Sequence, residues 1–196
     1  MFIAPNELEL EETNTAYGLQ TNVVYFILPG EGFAALVRQV TVKNIAAQPV
    51  TLELLDGLPA IIPFGVTNGM LKEIGRTAEA WMAVTNLAQG IPFYRVQASI
   101  ADRAEVETFE AGHFFLAFTG VGEHGGSPLL FVDPTVIFGP NTALSYPDRF
   151  LVGSLAELAA APQVPLCRTP CGFAGTAATL EPGEALTLYA IIGHVG

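Results

Sequence analysis

Apolar and polar positions alternate most regularly over two adjoining runs, residues 36–44 and 50–58. In the first, Val40 and Val42 share a face with Arg38, while Gln39, Thr41 and Lys43 take the other; in the second, Val50, Leu52 and Leu54 oppose Thr51, Glu53 and Leu55. A period of two marks a strand with one face buried and the other wetter. The short loop between the runs ends at Pro49 and predicts an antiparallel hairpin, because a parallel return needs a much longer crossover.

The same period recurs on both sides. Leu8 and Leu10 alternate with Glu7, Glu9 and Glu11, an acidic pattern that discourages foreign strands from pairing at a sheet edge. Residues 22–28 form a nearly continuous apolar strand, ended by the turn Pro29-Gly30-Glu31-Gly32. Further strands are predicted over 93–100, 104–109 and 113–119, with short ones over 129–132 and 135–138 around Asp133-Pro134. Residues 173–180 and 185–192 predict a closing hairpin across Glu181-Pro182-Gly183-Glu184. The stretch 76–84 is ambiguous: Ala, Glu and Met favour a helix, but Ala80, Met82 and Val84 alternate with Glu79, Trp81 and Ala83. A strand is preferred there because it continues the meander. Residues 61–75 read as a loop with a short helical turn over 70–74, for which Asn68 is the candidate cap. The clearest helix is 154–161, SLAELAAA, with Ser154 as N-cap, Glu157 at the third helical position and Pro162 as its stop.

Many β segments with one or two short helices predict a mainly β chain. Because an apolar sheet face must be covered, the expected architecture is a large antiparallel two-sheet β-sandwich, a supersandwich, in one domain over 1–196. Hydrophobic residues make up 51% of the 196 and charged ones 14%, too apolar a mixture for a disordered chain. The apolar runs break well before the roughly 20 residues a membrane-spanning helix needs. Residues 1–6 carry no signal-peptide pattern, so a cytoplasmic location is expected. Eight Lys and Arg against 19 Asp and Glu give a formal charge of −11, which repels phosphate backbones; neither a nucleic acid nor a membrane is expected as partner. A chain this apolar either buries an unusually large core or covers part of its surface with a partner.

Candidate chemistry is sparse. Asp56, Glu73, Glu79, Asp102, Glu123, Asp133 and Asp148 are nominal candidates for the paired carboxylates of glycoside cleavage, which must stand roughly 5–10 Å apart. His113, His124 and His194 are too dispersed for a local metal signature. His113 reads as a hydrogen-bonded packing residue; His124, in the glycine-rich loop 120–128, is the better ligand candidate of the two, though it reads first as a solvent-exposed loop histidine. Cys167 and Cys171, spaced CRTPC, match neither a redox CxxC pair nor a zinc knuckle, and are expected as reduced structural thiols. The chain lacks HExxH, GxxxxGK[ST] and GxSxG motifs, and no cofactor, metal or catalytic residue is assigned. The richest collection runs from Pro63 to Gly69 and on to Lys72, Arg76, Glu79 and Trp81. Asn68, Lys72, Arg76 and Glu79 supply polar groups for sugar hydroxyls, and Trp81 a ring to stack on a sugar face. The same residues read equally well as a local ion pair, a core tryptophan or a domain interface.

The motifs VTVKNIAAQPVTLELLDGLP, IPFGVTNGMLKEIGRTAEAWMAV, VDPTVIFG and TPCGFAGTAATLEPGEALTLYAIIGHVG follow one another along the chain. Together this order resembles the amino-terminal β-sandwich of cellobiose phosphorylase-related, glycoside hydrolase family 94-like proteins, over 36–138 and 168–196. The resemblance implies a noncatalytic domain that packs against, or positions substrate for, an (α/α)6 barrel of the same protein, where an inverting phosphorolysis would take place. It carries over no catalytic residue. The alternatives are a self-contained carbohydrate-binding sandwich and an assembly module that forms homo-oligomers.

Overall fold

The structure is a computed structural model that describes residues 1–99, 109–120 and 126–196. Its strands are β1 (Phe2–Ala4), β2 (Glu7–Asn14), β3 (Leu19–Ile27), β4 (Ala34–Asn44), β5 (Val50–Leu58), β6 (Met82–Thr85), β7 (Phe93–Val96), β8 (Gly112–Thr119), β9 (Leu129–Phe131), β10 (Gly172–Leu180) and β11 (Ala185–Val195). They form two antiparallel sheets, one of eight strands in the order β1-β2-β3-β4-β11-β8-β7-β6 and one of three in the order β5-β10-β9. The expected two-sheet sandwich is therefore present. Its main core lies between the layers, where Tyr94, Phe115, Ala117, Leu188 and Ala190 meet Ala174 and Val132, with Leu54 and Leu58 packed alongside.

Both predicted hairpins are instead arches between the layers. β4 pairs with β3 and β11, while β5 pairs with β10, so neither β4–β5 nor β10–β11 is a ladder. Asn44 explains how so short a loop crosses the core. Fully buried, its side chain donates to the carbonyls of Gln48 (2.9 Å) and Leu180 (2.8 Å) and accepts from Ala46 N–H (2.8 Å). Its backbone N–H donates to Glu184 O and its carbonyl accepts from Gly183 N–H, both at 2.9 Å, so each arch braces the other. Arg38 makes the second tie. It lies on the same face as Val40 and Val42, as the alternation requires, and its fork reaches across to Asp56 of β5 at 2.7–2.9 Å, beneath the ring of Tyr25. Asp56, a nominal catalytic acid in the sequence, is thus a structural inter-sheet anion.

Three further expectations are corrected. Residues Gly75–Trp81 form a 3-10 helix, and the anticipated strand over 76–84 becomes extended only from Met82, where β6 begins. The turn before it is helix α1 (Asn68–Glu73), capped by Thr67, whose hydroxyl accepts from Met70 N–H; Asn68 is its first residue rather than its cap. Residues 135–138 belong to helix α2 (Pro134–Phe138), because Asp133 caps it and Pro134 suits a first helical position. Helix α3 (Asp148–Val152) follows, then α4 (Leu155–Ala160), which carries the expected capping box of Ser154 and Glu157. The strand expected over 93–100 is extended over Phe93–Val96. Most of the strand expected over 104–109, and the centre of the loop over 120–128, lie outside the described residues.

Eight strands opposite three leave an overhang. Ile3, Leu8, Tyr25 and Arg38 are successive register partners, as are Leu10, Val23 and Val40, so these side chains share the face that Arg38 turns toward the smaller sheet. On that face Ile3, Leu10, Ile27 and Leu36 remain exposed.

Candidate functional site

The 3-10 helix over Gly75–Trp81 leads into β6 and lies beside the segment that returns from α4 to β10. Between that helix and the turn at Asp133 opens a cleft of about 580 Å³. It is lined by Arg76 and Glu79, by Thr135, Asn141 and Thr142, and by Cys167, Arg168 and Thr169.

Asp133 holds this corner together. Its carboxylate is fully buried and accepts from Thr135 N–H (3.0 Å), Thr135 Oγ1 (2.8 Å), Val164 N–H (3.0 Å) and Arg168 Nη1 (2.7 Å). Burial alone would raise its pKa. The hydrogen bonds from Val164, Thr135 and Arg168 outweigh it and hold the carboxyl below its ordinary value of 3.8. The anchored guanidinium also donates to Thr135 Oγ1 at 3.2 Å. Opposite, Glu79 accepts from Thr169 Oγ1 at 3.2 Å and faces Arg76 at 3.5 Å. Arg76 is 83% exposed, so this ion pair contributes little to stability and leaves the guanidinium free to turn toward a ligand.

Of the five residues singled out in the sequence, the cleft contains Arg76 and Glu79. Asn68 and Lys72 are exposed on α1, and Trp81 is half-buried at the end of the 3-10 helix; none of these three lines the cleft. Arg168, Thr169, Thr135 and Asn141 were missed. The Asp133-Pro134 dipeptide, a helix start, was the available signal for Thr135. Nothing local in the sequence ties Arg168 to a carboxylate 35 positions away.

Both cysteines are free, as expected, but only Cys171 is a buried packing residue. Its Sγ donates to Phe131 O at 3.5 Å, and burial with the nearby Asp133 charge raises its pKa far above the ordinary thiol range. Cys167 is exposed in the cleft with a positive φ of 56°.

A second grouping lies at the end of the inter-sheet layer. His113 and His194 are direct partners across β8 and β11, with ring centres 5.1 Å apart, and Phe64 packs 4.9 Å from His194. Neither imidazole hydrogen-bonds to a described residue, which corrects the expected hydrogen-bonded His113, and His194 Nδ1 is buried without a partner. Burial, and then the neighbouring His194, lower the pKa of His113. Among the described residues no group of three or more His, Cys, Asp or Glu side chains is placed to hold a metal, and no helix is long and apolar enough to cross a membrane.

Comparison with known proteins finds no matching family model and no matching curated protein.

Proposed function

We propose that the chain is a noncatalytic β-sandwich domain of a carbohydrate-processing protein, whose cleft holds a glycan. The observation that carries this reading is the lining of the cleft. Arg76, Arg168, three threonines and Asn141 line it together with the apolar Pro134 and Leu144, a mixture of hydrogen-bonding and apolar surface suited to a sugar and, through Arg76, to an acidic sugar substituent. Asp133 does not suit proton donation, because four donors hold its carboxyl in the ionised form. Glycoside cleavage needs one carboxyl kept protonated and a second free to attack or activate water.

The apolar overhang of β1–β4 supports the structural half of the same reading. A neighbouring domain presenting apolar side chains would cover Ile3, Leu10, Ile27 and Leu36, whereas a second copy brings another charge of −11.

The test is calorimetric titration of the purified chain with neutral gluco-oligosaccharides and with uronic-acid oligosaccharides. Saturable binding is expected, tighter for the acidic series. Arg76→Ala should weaken it about tenfold or more, since a hydrogen bond to a charged group contributes about 1.5–3 kcal/mol, with the melting temperature unchanged. Release of sugar or sugar phosphate by the chain, or no binding of either series at millimolar concentration, would overturn the proposal.

A further inference from the structure

We infer that His113 and His194 form a two-imidazole chelate for a divalent first-row transition ion such as Zn2+, distinct from the cleft and independent of its role. Two imidazoles on one tetrahedral ion, each with nitrogen about 2.0–2.1 Å from it, hold their ring centres about 5 Å apart. The observed separation is 5.1 Å, and the planes are inclined by 59°, so the rings are not stacked on each other. The backbone fixes this spacing. The two residues are opposite one another on neighbouring antiparallel strands, with eight consecutive register pairs from Leu188↔Thr119 to Val195↔Gly112 holding β11 against β8.

The donor chemistry agrees with the spacing. Neither ring hydrogen-bonds to a described residue, and a buried, unpartnered nitrogen such as His194 Nδ1 is destabilising unless something satisfies it. Phe64 forms an apolar wall on one side. Its backbone is pinned to β7 by Phe64 N–H to Tyr94 O (3.2 Å) and Val96 N–H to Phe64 O (2.8 Å), so it limits how far His194 can swing away. Imidazole suits zinc, copper and nickel rather than magnesium or calcium. With two protein ligands, the remaining positions fall to water or to a small anion.

The chain contains three histidines, which makes the assay direct. In proton NMR of the untagged protein, the three imidazole Cε1–H signals are assigned by single His→Gln variants and followed during Zn2+ titration. The expected result is that the His113 and His194 signals shift together to a one-to-one endpoint while that of His124 stays in place. His113→Gln and His194→Gln should each weaken binding roughly a hundredfold, the loss expected when a second tethered donor is removed. Both variants are checked for an unchanged fold by amide spectra, and His124→Gln should bind as the parent does. Shifts of only one of the two signals, a response centred on His124, binding that survives both substitutions, or no response at millimolar Zn2+ would each overturn the assignment.

Discussion

Replacing Asp133 should separate its roles as helix cap, charge and anchor for the cleft. In Asp133→Ala four hydrogen bonds disappear, and Val164 N–H and Arg168 lose a buried partner. A charge-assisted hydrogen bond contributes about 1.5–3 kcal/mol and an N-cap about 1 kcal/mol. Arg168 is 31% exposed and recovers part of its loss in water, so the expected total is about 3–4 kcal/mol. Asp133→Asn keeps an oxygen that can cap Thr135 N–H but gives up the charge that binds Arg168, so about half of that loss is expected. Urea denaturation followed by circular dichroism measures both; with a slope of about 2 kcal/mol per molar urea, Asp133→Ala should move the midpoint by about 1.5–2 M. The pH dependence follows from the same residue. Its folded pKa lies below the ordinary 3.8, so below that value the unfolded chain binds more protons than the folded one. The stabilisation is complete above about pH 4 and is lost as pH falls through the folded value; Asp133→Asn should lack this component. A loss under 1 kcal/mol in Asp133→Ala, or an acid limb unchanged in Asp133→Asn, would refute the reasoning.

Other substitutions probe the layers and the thiols. Gly57 sits in β5 with φ of 157°, and an added Cβ would stand 2.0 Å from Gly172 O; Gly57→Ala should lower stability by several kcal/mol, read as a large fall in melting temperature. Ellman's reagent should titrate one thiol, that of Cys167, in the native chain and both in denaturant; two reactive thiols under native conditions would contradict the burial of Cys171. Ile3→Ser with Leu10→Ser should change stability by no more than about 0.5 kcal/mol per site while lowering the binding of a hydrophobic dye, because both side chains are already exposed on the overhang. A strong destabilisation would mean that this face is covered within the chain.

Period-two alternation carried most of the strands, and it even placed Arg38 correctly among the inward valines. What it could not carry was the layer to which each strand belongs. A strand's alternation is the same whether it turns back beside its neighbour or crosses to the opposite sheet, and the loops at 45–49 and 181–184 are short enough for either. The decision lies with Asn44, whose buried amide ties both arches through Leu180 and Gln48, partners that become visible only once β5 and β10 are paired. The helix over Pro134–Phe138 was legible at its first two residues and obscured by its last three. Val136, Ile137 and Phe138 have strand-like side chains, and all are buried, so no polar face betrays a helical period.

The same division separates the residues of the cleft. Arg76 and Glu79 are three positions apart, so local spacing alone brings them together. Asp133 with Arg168, and His113 with His194, are joined by strand order, which puts β11 between β4 and β8 and returns the chain after α4 to the start of α2. Local patterns therefore reveal which side chains have the right chemistry, and the crossing of the two layers decides which of them meet. That places the burden of a function on the arches: if Asn44→Ala loosened them, the cleft and the histidine pair should both lose their geometry, although neither contains Asn44. Measured ligand binding at the cleft and Zn2+ binding at the histidines should then fall together with stability. Loss of one with the other intact would show that the two sites draw on separate parts of the framework.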